Sequence, residues 1–439
     1  MVLSVIIAGI TALSMVGAVL FKPYIKVGKF SVGLYWLICL SGAALMLIFG
    51  CINLSSVISG VTADTSVNPL KILALFLSMT LLSIYLGDAG FFDYVADTVF
   101  LKSKGGQLKL FLILYAVVAI LTVFTSNDVI ILTFTPPICI FAKKAKISPL
   151  PFLFGEFIAA NTWSMTLIVG NPTNVYLAQS AGISFIEYFS VMWLPALAGG
   201  LTGLFALLLI FKKQLSTPIG KDTDSQTKNF PARKVHLSKV PMFVAIAHLA
   251  ICIILLSISD IIGVEMWLIC VILALSLTAF ELIYDLLIIR TVRPVFHSVK
   301  KVPYELIPFV LSMFIIVLAL KENGVTNALN KLLISGNKAD GVSFGFLSAL
   351  SANLLNNIPM SVLFERIISG NNLAAVYGAV IGSNVGAFIT PVGALAGIMW
   401  SKILAKYDIK MPFIKFLLYG GAVALPTLVA STLTLLITL

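Results

Sequence analysis

Long apolar runs separated by short polar loops alternate along nearly the whole chain. Several runs offer the roughly 17 to 25 apolar residues that a hydrocarbon layer about 30 Å thick requires. Lys and Arg gather after alternate runs, as at Lys22, Lys26 and Lys29. Because positive loops stay in the cytoplasm, this pattern predicts an all-α polytopic membrane protein whose N- and C-termini both lie outside.

One apolar stretch of the first half has a basic cluster on each side. Predicted spans over about 3–20, 30–50 and 69–87 bring the chain inside, where Lys109 precedes the stretch and Lys143 follows it. A single crossing would place one cluster outside, against the positive-inside rule. Two arms of about 15 residues, turning at Thr125-Ser126-Asn127-Asp128, are too short to span and keep both clusters inside. We therefore predict a re-entrant hairpin over about 108–142.

The next long apolar stretch, about 150–182, is interrupted by Gly170-Asn171-Pro172. Proline removes a backbone donor and leaves a carbonyl without its partner, so unwound backbone there can bind a ligand or an ion. We predict a broken helix, followed by a span over about 188–211 that ends the first repeat, 1–211. The basic segment 212–239, rich in Ser, Thr and Pro, is predicted to be a cytoplasmic linker.

The second half, 240–439, is predicted to repeat this order with opposite orientation. Spans over about 240–258, 264–289 and 303–320 precede a hairpin over about 343–369, which turns at Leu355-Asn356-Asn357. A broken helix over about 373–406 carries Thr390-Pro391-Val392-Gly393, and a last span covers about 413–437. The sequence thus predicts an inverted repeat of about five transmembrane helices plus one re-entrant hairpin per half.

Composition narrows the class of function. Hydrophobic residues make up 59% of the chain and charged residues 11%, unlike a soluble domain. The net charge of +11 lies in loops without interleaved aromatic residues, so we expect no nucleic-acid partner. Three histidines, at 236, 248 and 297, have no metal-ligand spacing, and the chain has no phosphate-binding loop. We predict no enzymatic activity and no cofactor, with energy from an ion gradient or a separate subunit.

Uncharged polar residues gather at the predicted tips and breaks of both halves. Buried amides are costly unless matched, and half-helix N-termini at the tips would present free N–H groups to a polar or anionic substrate. The alternative is that each asparagine only caps a half-helix or ties helices together. The predicted substrate-binding residues are Ser126, Asn127, Asn171, Thr173, Asn174, Asn356, Asn357, Thr390 and Pro391.

A second predicted group would couple transport to a proton or another ion: Asp128, Asn161, Asn384 and Glu156. Asp128 is the one carboxylate within the motifs, and an intramembrane acid is a functional candidate by default. Asn357 is its expected counterpart in the second half, and the alternative role for Asp128 is an N-cap. Glu156 is the second choice, and Asp88 and Asp93, beside a Gly-containing loop, are expected to be solvated.

These motifs resemble those of the ion transporter superfamily, most closely its arsenite efflux pump branch. The resemblance lies in Ser126-Asn127-Asp128, Gly170-Asn171-Pro172-Thr173-Asn174, Asn356-Asn357-Ile358-Pro359 and the run from Gly382 to Ala396. It implies an elevator-type carrier in the cytoplasmic membrane of a prokaryote, with outer spans as a scaffold and the hairpins and broken helices as a mobile transport domain. It further implies efflux of arsenite or antimonite in exchange for protons, with a soluble ATPase subunit in some members; a homodimer is also considered.

Two departures from that branch change the charge of the site. The branch commonly has an acid where Leu355 stands, and an Asp-Leu-Gly-Pro-Lys run where this chain has Asn384-Val385-Gly386-Ala387-Phe388. The competing classes in the superfamily are sodium-coupled citrate or dicarboxylate transporters and sodium/proton antiporters. The expected substrate is therefore a small inorganic or carboxylate molecule, and the coupling ion is a proton or sodium.

Overall fold

The computed structural model describes residues 1–22, 24–27, 30–65, 68–102, 106–219, 238–368 and 372–439. The first half begins with three helices of 15 to 20 residues, with a nine-residue helix before the third of them. They are followed by an amphipathic helix, two helices joined at a tight turn, a helix broken in its middle, and another long helix. The helices of this half are α1 Val2–Phe21, α2 Leu34–Ile48, α3 Leu54–Thr62, α4 Pro69–Asp88, α5 Phe91–Lys102, α6 Gln107–Phe124, α7 Asn127–Ala145, α8 Leu150–Trp163, α9 Pro172–Ser180, α10 Phe185–Ile210 and α11 Lys212–Leu215.

The second half has the same order of elements. Its helices are α12 Lys239–Ser257, α13 Ser259–Ile262, α14 Met266–Tyr284 with a π-helical end at Asp285–Ile289, α15 Arg293–Lys300, α16 Leu306–Glu322, α17 Val325–Leu333, α18 Ala339–Leu355, α19 Asn357–Ile367, α20 Leu373–Gly386, α21 Leu395–Lys406 and α22 Phe413–Thr438. A two-stranded antiparallel ribbon, β1 Tyr24–Val27 and β2 Phe30–Gly33, lies in the basic loop after α1 and was not predicted. Of the predicted linker 212–239, the part from 220 to 237 lies outside the described residues.

Seven described helices are long and apolar enough to cross a membrane alone, and the bent pair α16–α17 raises this number to eight. One of the seven, α6, belongs to the first predicted hairpin. Its 18 residues extend about 27 Å, and the 19 residues of the second arm, α7, extend about 28 Å. The expectation of two arms of about 15 residues, too short to span, is therefore wrong for the length of both. The other predicted crossings fall on α2 and on the two broken helices α8–α9 and α20–α21.

The chain reverses direction between α6 and α7. On α6, Phe111 packs on Phe152 at the start of α8. Helix α6 also contacts the turns Ser164–Thr166 and Ile168–Gly170, which follow the end of α8. Along α7 the order is opposite, because Asn127 bonds Asn161 near the end of α8 and Thr135 bonds Glu156 one turn earlier. The two helices therefore run in opposite directions beside the same helix.

The second pair, α18 and α19, repeats this arrangement beside α20. Glycines hold α18 against α20: Gly378 lies on the Gly341 backbone, Gly382 on Gly345, and Gly386 on Ala349. Small residues at every fourth position allow such close approach of helices in membranes. The returning arm α19 is shorter, and its Phe364 packs edge-to-face on Phe344 with ring centroids 5.7 Å apart.

Candidate functional site

Asn384 joins the broken helices of the two halves. This side chain, on α20, is fully buried. Its Oδ1 accepts hydrogen bonds from Ser164 Oγ at 2.9 Å and from Asn171 Nδ2 at 3.0 Å, and its Nδ2 donates to Asn174 Oδ1 at 2.7 Å. Ser383 Oγ and Thr173 Oγ1 lie 3.0 Å apart beside it. The interrupted segments 164–174 and 383–394 therefore meet through direct hydrogen bonds between their side chains.

The two breaks correspond residue by residue. Asn161 and Asn384 each precede a Val-Gly pair that ends at Gly170 or at Gly393, nine residues later in both halves. A Cβ on Gly170 would meet the carbonyl of Ser164, so the break closes tightly on itself. Asn171 then caps α9 by accepting a hydrogen bond from Thr173 N at 3.3 Å, with Pro172 at the first helical position, where its missing N–H costs nothing.

The tip of the first pair, Thr125 to Asp128, lies against α8. Asn127 Nδ2 donates to Asn161 Oδ1 at 3.0 Å, and Asn161 Nδ2 donates back to the Phe157 carbonyl at 2.8 Å. The Asn127 side chain nevertheless has an acceptor to spare: its Oδ1 and the Ser126 Oγ are buried, and neither has a hydrogen-bond partner among the described residues. Two unpaired buried oxygens at one tip are the kind of group that a bound ligand satisfies.

The tip of the second pair is closed onto its own break. Asn356 Nδ2 donates to the Val392 carbonyl at 3.0 Å, and Asn357 N donates to the Gly393 carbonyl at 3.0 Å. Asn356 adopts φ +71°, in the left-handed region. Thr390 Oγ1 donates to Asn353 Oδ1 at 2.6 Å, while the adjacent Pro391 is half-buried. The backbone groups that the break frees are therefore used here by the protein itself.

Asp128 follows the first tip and faces a cavity. Asn127 and Asn357 are each the first residue of their helix, so the structural counterpart of Asp128 is Ile358 and not Asn357 as expected from the sequence. The cavity has a volume of about 830 Å³ and lies between α4, α7, α21 and the segment before α16. No hydrogen bond or ion pair to the Asp128 carboxylate occurs among the described residues, and the N-cap position belongs to Ser126.

The mouth of this cavity carries paired charges. Asp88 bonds Ser298 Oγ at 2.6 Å and forms an ion pair with Lys301, and Glu305 accepts a hydrogen bond from Tyr35 Oη at 2.8 Å. The sequence indicated that Asp88 is solvated. In the structure Asp88 instead links the end of α4 to α15. Asp93 also lines the cavity.

Glu156 lies away from the cavity and is fully buried. The hydroxyl oxygen of Thr135 lies 2.8 and 3.1 Å from its two carboxyl oxygens, within hydrogen-bond distance of both. Phe157 and Trp400 pack against each other beside it, with ring centroids 5.2 Å apart.

The structure thus places the predicted site residues, apart from Glu156, in three groups. Asn161, Asn171, Thr173, Asn174 and Asn384 form the hydrogen-bonded centre, and Asn356, Asn357, Thr390 and Pro391 form the closed second tip. Ser126, Asn127 and Asp128 lie at the first tip, and Glu156 stands apart from all three. Sequence reasoning did not assign a role to Ser164, Ser383 or Thr135. Ser164 lies in the turn after α8, Ser383 lies beside Asn384 within the quoted motif, and Thr135 is a single hydroxyl in an apolar helix.

Comparison with known proteins places this arrangement among transporters. A family model described as citrate transporter matches residues 30–376. The arsenical pump membrane protein of Escherichia coli (strain K12) is 26% identical over 374 residues, covering 81% of this chain and 83% of the relative. The putative arsenical pump membrane protein of Bacillus subtilis (strain 168) is 24% identical, covering 84% and 86%.

The fold is also similar to that of a solved membrane protein, Neisseria gonorrhoeae MtrF, described as one of a class of antimetabolite efflux pumps. That structure aligns with a TM-score of 0.55 and 13% sequence identity, over 99% of this chain and 94% of the other. The helical architecture, the family match and the relatives agree on a multi-pass membrane transporter of the ion transporter type. Since the family model matches most of its length, the chain belongs to the citrate transporter family.

Proposed function

We propose that this protein is a secondary active transporter that exports arsenite or antimonite in exchange for protons by an elevator mechanism. The observation that carries the proposal is the position of Asp128 at the first tip. Its carboxyl lies between the polar centre and a cavity of about 830 Å³. Among the described residues, none forms an ion pair with this carboxyl. Such an acid can take up and release a proton as access to the cavity changes.

The charge of the cavity favours a neutral or cationic substrate over a multiply charged anion. Four carboxyl groups line it, from Asp88, Asp93, Asp128 and Glu305, against the ammonium groups of Lys301 and Lys406. Citrate would need cations to offset its charges, and these lysines are partly committed, since Lys301 pairs with Asp88. The neutral hydroxide As(OH)₃ needs only hydrogen-bond partners, and Ser126 and Asn127, next to the cavity-lining Asp128, have unpaired oxygens.

The relatives support the same substrate class. Two bacterial arsenical pump membrane proteins align with more than four-fifths of this chain. Asn384 stands where that branch commonly carries an aspartate. Asp128 is therefore the one carboxyl that remains within the motifs of the two tips and breaks. We therefore assign the proton-coupling role to Asp128, with Glu156 as the second candidate.

The mobile unit of the proposed elevator comprises both hairpins and both broken helices. The Asn384 centre ties α20 to the break before α9, and the Asn127–Asn161 bond ties the first hairpin to α8. Helices α1, α2, α4, α12, α14 and α16 then form the scaffold. By the positive-inside rule the cavity opens to the cytoplasm, because Lys301 and Lys406 lie at its edge. In this proposal the cavity is the inward-facing access route, and the two repeats have opposite orientations.

Purified protein in vesicles tests the assignment through Asp128→Asn. The substitution keeps shape and hydrogen bonding but cannot titrate, so we expect it to abolish arsenite flux driven by a pH gradient while substrate binding is retained. Asp88→Asn is the matched control, an acid of the same cavity that holds a lysine, and it should keep the gradient-driven flux. Undiminished proton-driven flux in Asp128→Asn would refute the role of Asp128.

Sodium-coupled transport of citrate or a dicarboxylate is the second candidate, favoured by the description of the matching family model. Parallel flux measurements with arsenite, antimonite, citrate and succinate, with and without sodium, separate the two. Flux of citrate that requires sodium and ignores the pH gradient would replace the arsenite proposal. Sodium-for-proton exchange without any of these substrates would instead indicate an antiporter.

A further inference from the structure

A second cavity of about 210 Å³ lies far from Asp128, between α1, α16 and the second hairpin. Gly9 and Met15 line it from α1, Met313 and Ile316 from α16, and Leu355 and Leu363 from the hairpin. It therefore touches the proposed scaffold on two sides and the proposed mobile domain on the third.

The polar groups on the wall of this cavity are already satisfied. Thr11 Oγ1 donates to the Ile7 carbonyl at 2.8 Å within α1, and Cys39 Sγ donates to Met15 Sδ at 3.7 Å. Water needs two to four polar partners to occupy a cavity, and a metalloid hydroxide needs them equally. Apolar cavities of about 150 Å³ stay dry and take up benzene-sized hydrocarbons, so this larger one suits a hydrocarbon occupant.

The bilayer supplies such an occupant. Helix α1 is a candidate membrane span of which only 28% is buried inside the protein, and Val5, at the edge of the cavity, is 46% exposed. Gly9 is exposed beside it, and an added Cβ there would meet no atom within 4 Å. The cavity is thus a groove that opens where α1 faces lipid.

We propose that this groove binds a lipid acyl chain, inserted past Gly9 between α1, α16 and the second hairpin. A chain in this position fills the space that α1, α16 and the hairpin leave around Leu355 and Leu363. It lies beside the direct contacts of α1 with α18 and of α16 with α19. Binding at this groove is a property of the membrane-embedded protein and does not depend on the transported substrate.

The test uses protein reconstituted into phosphatidylcholine vesicles whose acyl chains carry a photoactivatable diazirine at mid-chain. After illumination, mass spectrometry locates the labelled residues. Met313 and Ile316 are 7% and 2% exposed, so bulk lipid does not reach them and only a chain within the groove can label them. Leu418 and Leu425, which are 66% and 61% exposed on α22, report labelling by bulk lipid.

Gly9→Leu should obstruct the entrance and lower labelling of Met313 and Ile316 several-fold, with Leu418 and Leu425 unchanged. Gly17→Leu is the matched control, since Gly17 lies about two turns further along α1, is absent from the lining and also has nothing within 4 Å of an added Cβ. Ala12→Leu, within the groove, provides a second obstruction if Gly9→Leu does not fold. Absence of label at Met313 and Ile316, or equal label in all variants, would overturn the proposal. Failure of arsenite export would leave this test unaffected.

Discussion

Asn384→Ala should uncouple the two halves of the transporter by removing the bonds that join their broken helices. The substitution deletes the acceptor of Asn171 Nδ2 and the donor of Asn174 Oδ1, at 3.0 and 2.7 Å, within a fully buried centre. Ser164 Oγ keeps a second acceptor, the Asn161 carbonyl at 2.8 Å. Two buried polar groups therefore lose a partner.

The expected loss follows from the cost of those groups. An unpaired buried donor or acceptor costs about 1 to 3 kcal/mol, which gives about 2 to 6 kcal/mol for two. Hydrogen bonds between membrane helices average only about 0.6 kcal/mol in double-mutant cycles, with values up to about 1.7, because the unfolded chain also finds partners. We therefore expect Asn384→Ala to lower the free energy of unfolding by about 2 to 3 kcal/mol, and the Asn384–Asn171 coupling to be about 1 kcal/mol.

A double-mutant cycle of Asn384→Ala and Asn171→Ala, measured by reversible denaturant titration in mixed micelles, gives the coupling. Asn353 is the control, because its side chain makes three hydrogen bonds, to Ala349, Gly386 and Thr390, and all of them lie within the second half. Asn353→Ala should combine additively with Asn171→Ala, within about 0.5 kcal/mol. An Asn384–Asn171 coupling no larger than that of the control would refute the view that these amides join the halves.

Two further predictions concern packing and the tips. Gly382→Val should lower thermal stability in detergent strongly, because a side chain there collides with the Gly345 backbone. Gly421→Val is the control and should leave that stability unchanged, because no atom lies within 4 Å of an added Cβ. Equal stability of the two variants would contradict the packing argument. Asn127→Ala and Asn357→Ala should each reduce vesicle flux strongly while the protein stays folded, as about 1 to 3 kcal/mol of site energy is lost. Normal flux in both would leave these residues only a structural role at the start of their helices.

The positions of the tips and breaks could be predicted from sequence because their signals are local. Proline at 172 and 391, glycine at 170 and 393, and amide pairs inside apolar runs interrupt helices wherever they occur. The structure begins α9 at Pro172 and places helix-free residues around Pro391, as expected. Element order in both halves followed from the same signals.

The partners of those residues could not be predicted, because they depend on contacts between distant segments. Asn171 and Asn384 are 213 positions apart, and no pattern in either segment specifies that one amide will accept from the other. The same holds for the difference between the tips. Both carry asparagine, yet only the second is tied to its break by a backbone hydrogen bond, from Asn357 to Gly393. The ribbon of β1 and β2 was not predicted, because the basic residues after α1 indicated only a cytoplasmic loop.

Ile358, which cannot carry a charge, occupies the position in the second half that Asp128 occupies in the first. This difference limits the substrate gradient that the proposed exchange can sustain. One titratable carboxyl carries at most one proton per cycle, so exchange for a neutral hydroxide moves a single net charge across the membrane. A membrane potential of 100 mV then contributes about 2.3 kcal/mol and each unit of pH difference about 1.4 kcal/mol. Together they sustain a concentration ratio of roughly 400-fold for arsenite, since every 1.4 kcal/mol is a factor of ten. A second acid in place of Ile358 would square that limit at the cost of a second proton per cycle.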